Sequence, residues 1–85
     1  MNEITSAQMR AARGLLRWSA DDLARNAKVG VATIRRAEAS DGPLTMTQAN
    51  QAAIRGALEA GGVAFVDQNG MGPGVRLRDR TTAAE

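Results

Sequence analysis

Eighty-five residues, 24% of them charged, make one small domain with a modest core. The chain has no cysteine, histidine or tyrosine, which excludes a disulfide framework and a thiolate metal site and removes the commonest general base and metal ligand. The formal net charge is only +2, but residues 1–37 hold seven basic side chains against three acidic ones, while residues 38–75 hold Arg55 alone against four acids.

A basic N-terminal half suits contact with phosphates; a solvated surface of mixed charge has the same composition. No apolar run approaches the roughly twenty residues of a membrane span. Met1-Asn2-Glu3 does not open a basic, then apolar, leader. These features predict a soluble, cytoplasmic chain that is not an enzyme and carries no metal or cofactor.

Three capping patterns mark helix starts. Thr5-Ser6-Ala7-Gln8 fits a capping box, with Ile4 and Met9 placed as a hydrophobic staple. It predicts a first helix over about Ser6 to Leu16, with Met9, Ala12 and Leu16 inward. Ser19-Ala20-Asp21-Asp22 is a near match, with Asp where Glu or Gln is usual and with Trp18 and Leu23 at the staple positions. It opens a second helix over about Ala20 to Ala27 that buries Leu23, Ala24 and Ala27. After a break at Lys28-Val29-Gly30, a third helix covers about Val31 to Ala39, and Asp41-Gly42-Pro43 stops it. Thr45-Met46-Thr47-Gln48 reads as another capping box. It predicts a fourth helix over about Met46 to Ala60, with Ala53, Ile54, Ala57 and Leu58 inward and Gly61-Gly62 as its end. The predicted core joins Trp18, Leu23, Ile34, Ile54 and Leu58.

The period then changes. Val63-Ala64-Phe65-Val66 and Val75-Arg76-Leu77-Arg78 are β-prone and flank a stretch, Gln68 to Gly74, rich in turn residues. They predict a β-hairpin with a long loop, Val63, Phe65, Val75 and Leu77 facing the core and Arg76 and Arg78 facing out. A lone hairpin leaves both edges open, so it is also the candidate dimerisation element. The chain divides into a helix-turn-helix domain at 1–62, the hairpin at 63–80 and a frayed tail at 81–85.

The second and third helices, about three residues apart, have helix-turn-helix spacing. Ser19-Ala20-Asp21-Asp22-Leu23-Ala24 and Val29-Gly30-Val31-Ala32-Thr33-Ile34-Arg35-Arg36-Ala37-Glu38 together resemble the Cro/CI (XRE) helix-turn-helix family, over about Ser6 to Ala60. The hairpin, with Gly62-Val63, Phe65 and Gly74-Val75-Arg76-Leu77-Arg78, is similar to small stand-alone bacterial regulators of that class. The resemblance implies a mainly α fold: a four- to five-helix, lambda-repressor-like domain followed by a C-terminal hairpin. It also implies a structural pair between Arg13 and Glu38. Three positions depart from the family pattern. Its glutamine opening the second helix is Ala20, its turn glycine is Lys28, and its serine capping the third helix is Gly30. A lysine in a left-handed turn costs about 1 kcal/mol relative to glycine, and glycine is a weaker cap by a few tenths of a kcal/mol.

At about 100° per residue, Ile34 and Ala37 define the inner face of the third helix, and Ala32, Arg35, Arg36 and Ala39 the outer one. An arginine in a major groove donates bidentate bonds to guanine, and Val31 and Ala32 can touch a thymine methyl. The N–H groups opening the second and third helices can hold phosphates. The DNA-contact set is therefore Lys28, Gly30, Val31, Ala32, Thr33, Arg35 and Arg36; a solvated basic helix face is the plainer reading. Trp18 reads as a core staple rather than a base-stacking platform. Asp21-Asp22 reads as a helix-dipole pair rather than a catalytic dyad. Asn69 to Gly74 lacks the helix start and lysine of a phosphate loop and reads as a turn. The expected function is a sequence-specific transcriptional regulator, a repressor by resemblance, binding double-stranded DNA as a homodimer. The alternative is an antiactivator or antitoxin that binds another regulatory protein and has lost strong DNA binding, as Ala20 and the low net charge suggest.

Overall fold

Four helices lead into a two-stranded antiparallel hairpin in the computed structural model, which describes residues 4–40, 44, 46–66 and 73–78. The elements are α1 (Ser6–Leu16), α2 (Ala20–Ala27), α3 (Val31–Ala39), α4 (Gln48–Gly61), β1 (Val63–Val66) and β2 (Gly74–Leu77). The mainly α class with a C-terminal hairpin is as expected, with four helices among the described residues. The proposed turn at Asp41-Gly42-Pro43, most of the hairpin loop and the tail lie outside those residues.

Capping chemistry explains the first two boundaries. The Thr5 hydroxyl accepts from Gln8 N–H at 3.1 Å while Gln8 Oε1 accepts from Thr5 N–H at 2.9 Å. Ser19 and Asp22 make the same reciprocal pair at 3.0 and 2.9 Å. Each box satisfies two backbone donors that a helix start would leave unpaired.

The start of α4 differs from expectation. Thr47, not Thr45, is its cap: Thr47 is extended and its hydroxyl accepts from Asn50 N–H at 3.1 Å. The later start keeps Leu44 buried and Met46 packed on the core from the segment before the helix. Two capping-competent threonines stand here, and side-chain burial selects between them. At the other end, Gly62 is the left-handed residue, at φ 118°. Gly61 is helical and serves another purpose: a Cβ there would lie 2.9 Å from both Leu16 Cδ1 and Trp18 Cζ2.

Met9 and Ala12 of α1, Leu23 of α2, Ile34 of α3, and Ile54 and Leu58 of α4 are fully buried, and Val63 of β1 joins them. Trp18 is half-buried and packs against this cluster, as do Phe65 and Val75. The register pairs Val63 with Leu77 and Phe65 with Val75, so these four share a face as expected, with Val63 deepest. Leu77, at the hairpin's end, is only half-buried. On the β1 edge Val63 is covered, at 1% exposed, while Ala64, Phe65 and Val66 are half-buried. Arg55 of α4 lies 5.0 Å from the Phe65 ring centre, along the same strand.

Candidate nucleic-acid interface

The turn between α2 and α3 is three residues long, and each has a distinct task. Lys28 ends α2 in the left-handed conformation, at φ 59°, with its N–H donating to Ala24 O. Val29 N–H donates to the same carbonyl at 3.1 Å, and Val29 is buried. Gly30 caps α3 through its backbone alone: its carbonyl accepts from Thr33 and Ile34 N–H, and no side chain satisfies the opening N–H groups. Lysine therefore occupies the position expected for a glycine-like turn, and glycine the position of a weaker cap.

Ile34 is fully buried and Ala37 packs on the core, which fixes the rotation of α3. The outer face then carries Ala32, Arg35, Arg36 and Ala39, all exposed. Lys28 and Gly30 are exposed beside it, and Val31 and Thr33 are half-buried. Of the expected contact set, five residues therefore lie fully on the surface around the start and outer face of α3, and two flank it.

Charge is arranged asymmetrically around that face. The opening of α2 holds Asp21 and Asp22. The Asp22 carboxyl is held below the usual carboxylate range, chiefly by accepting the Ser19 backbone N–H. The α2 start, expected to hold a phosphate, thus carries its own anions, whereas α3 has no acid in its first turn. Arg35 lies 3.8 Å from Asp21, with both side chains more than half exposed, so the contact is loose. Arg36 borders a shallow groove of about 230 Å³, lined by Thr33, Ala37, Met46, Thr47 and Asn50. Sequence reading missed this groove, because Thr47 and Asn50 were placed inside a helix that starts earlier.

The frame behind α3 is fixed by Glu38. Its carboxylate accepts from Arg13 Nε and Nη2, both at 2.7 Å, and its carbonyl accepts from Arg10 Nη1 at 2.7 Å. Arg13 Nη1 also donates to Trp18 O at 2.8 Å. The pair implied by resemblance is therefore present, and it raises the Arg13 pKa through the hydrogen bond to Glu38. Arg10, counted among the basic residues of the N-terminal half, is partly committed to the same site.

Among the described residues no cluster of His, Cys, Asp and Glu is placed to hold a metal ion, and no helix is long and apolar enough to cross a membrane. Comparison with models of known protein families and with curated proteins finds no match to this chain.

Proposed function

We propose that this chain is a sequence-specific DNA-binding regulator of the Cro/CI helix-turn-helix kind, which inserts α3 into the major groove. The observation that carries the reading is the division of α3: Ile34 and Ala37 are held by the core, while Arg35 and Arg36 project from the opposite face. Arginine in that position can donate to guanine O6 and N7, and small Ala32 lets the helix approach the base edges. In this reading Lys28, which is exposed, and the start of α3, which has no side-chain cap, meet phosphates. One such unit covers a short half-site, so the reading includes a homodimer on a two-fold site, with repression as the activity the resemblance implies. The outward residues Ala64 and Val66 of β1 are the candidate dimer surface.

Selection of bound duplexes from random DNA tests this. A two-fold consensus whose affinity falls steeply with salt is expected. Recovery of no consensus at low salt rejects the reading. A regulator that binds another protein instead is favoured by one feature: Ala20, half-buried against the core, offers no side-chain donor where the family has glutamine.

A further inference from the structure

The outer edge of β2 and the exposed side of α1 form a trough that the DNA reading does not use. Arg78 N–H donates to Gly62 O at 2.7 Å, one pair beyond Val63↔Leu77. In an antiparallel ladder hydrogen-bonded and non-bonded pairs alternate. The inter-strand bonds therefore fall at Ala64↔Arg76 and Val66↔Gly74. The N–H and C=O groups of Val75 and Leu77 point away from β1, and no other backbone partner is found for them among the described residues. Both residues are partly exposed.

Beside this edge lies a groove of about 370 Å³, lined by Thr5, Ala7, Gln8, Ala11 and the β2 end, Pro73 to Val75. Gln8 Nε2 donates to Gly74 O at 3.1 Å and closes one end. Ala7, Ala11 and Leu15 follow at intervals of four on α1 and so share a face. Leu15, 38% exposed, is the large apolar side chain left on the surface of the described residues.

Charge selects the occupant. Neither α1 nor β2 contains an acidic residue. Arg76 is exposed at the middle of β2, on the face opposite Val75 and Leu77. A second copy of β2 added in register about Arg76 would set like charges opposite each other, which is destabilising. We propose that β2 takes up an extended segment of another protein by strand addition, and that this segment alternates acidic and apolar residues. Its backbone pairs with Val75 and Leu77, its apolar side chains enter the trough over Ala7 and Ala11, and its acids lie beside Arg76. The proposal does not rest on the α3 contacts, since none of these residues belongs to α3; Arg76 shares its face with Ala64 and Val66, so the segment would compete with a dimer formed there.

The test uses a short fluorescent peptide alternating glutamate and valine, with a lysine–valine peptide as control, and the intact protein. Binding of the acidic peptide alone is expected, with slowed amide exchange at Val75 and Leu77. Arg76→Glu and Ala11→Leu are each expected to weaken binding about tenfold or more, a loss of about 1.4 kcal/mol per decade, without changing the melting curve; Ala11→Leu, away from the outward face of Ala64 and Val66, is also expected to leave the affinity for selected DNA unchanged. Equal binding of both peptides, protection confined to α3, or Val75 and Leu77 amides already protected in a self-associated protein would each overturn the proposal.

Discussion

Arg13 grips Glu38 through two parallel hydrogen bonds of 2.7 Å, joining the last turn of α1 to the end of α3 across 25 residues of sequence. The side chains are 23% and 10% exposed, so the carboxylate has little access to water of its own. Arg13 also holds the Trp18 carbonyl, and Arg10 the Glu38 carbonyl. One fork therefore sets the angle of α3 against α1, and with it the presentation of Arg35 and Arg36.

Arg13→Ala leaves the Glu38 carboxylate nearly buried without its partner. A loss of about 1.5–3 kcal/mol is expected, the range for hydrogen bonds to charged groups. Arg13→Lys should recover only part of it, because an ammonium cannot make the planar two-bond contact. Urea denaturation of the three proteins checks this; equal midpoints would show that the fork contributes nothing.

Leu58 and Ile34 are fully buried in the same cluster. Leu58→Ala or Ile34→Ala should each destabilise by about 2–5 kcal/mol through lost transfer energy and residual cavity. Thermal melts followed by circular dichroism decide it. The Ile34 variant should in addition lose DNA binding, since this side chain fixes the rotation of α3.

Local rules and tertiary choices explain how much of this was legible in the sequence. α1 and α2 carry their starts in short-range chemistry: the Thr5–Gln8 and Ser19–Asp22 boxes need only residues three apart. The face of α3 follows from Ile34 and Ala37 at helical spacing. The start of α4 was not legible, because Thr45 and Thr47 are both competent caps and the choice lies with the burial of Leu44 and Met46. The groove beside Arg36 was hidden for the same reason. The depth of Val63 was hidden too, because nothing in Val63 to Val66 states which of these residues the rest of the fold will cover most.

Asp22 ties the stability of the fold to pH. Its folded pKa lies below the ordinary value because it accepts the Ser19 N–H, with Ser19 Oγ–H and Arg25 adding to the effect. A depressed folded pKa contributes stability that is present above the unfolded value and lost as pH falls through the folded one. The loss is therefore expected below about pH 4, where an ordinary aspartate begins to protonate. Asp22→Asn should flatten the stability profile in that window relative to wild type. Parallel profiles in both proteins would assign acid sensitivity elsewhere.

Arg35 and Arg36 should be separable on DNA. Replacing a base-reading arginine by alanine is expected to cost about 1–3 kcal/mol and relax preference at one position. A phosphate-contacting arginine should instead weaken all sequences alike and reduce the salt slope by about one. Binding of each variant to selected and mismatched duplexes sorts the two roles. Wild-type affinity in the double alanine variant would reject the use of this face.

Lys28 combines a left-handed backbone with an exposed place beside α3. It sits at φ 59°, a conformation that glycine adopts freely and that costs an L-residue roughly 1 kcal/mol. Arg17, at φ 58°, ends α1 in the same way, so two helices of this small domain stop on a cation rather than on glycine. A cation at a helix C-terminus recovers part of that cost through the helix dipole. Lys28 differs from Arg17 in its place, exposed at the turn that leads into α3. Lys28→Gly should therefore raise stability by about 0.5–1 kcal/mol, as relief of left-handed strain does, less the glycine's own entropy. If the lysine meets a phosphate, the same variant should bind selected DNA more weakly, with the salt slope smaller by about one. Arg17→Gly should give a comparable stability change with no change in salt slope, provided that α1 ends away from the duplex. The pair of variants separates the two effects: a stability gain in both, with a DNA loss in Lys28→Gly alone, places the turn on the phosphate backbone. Unchanged DNA affinity and salt slope in Lys28→Gly would remove Lys28 from the interface.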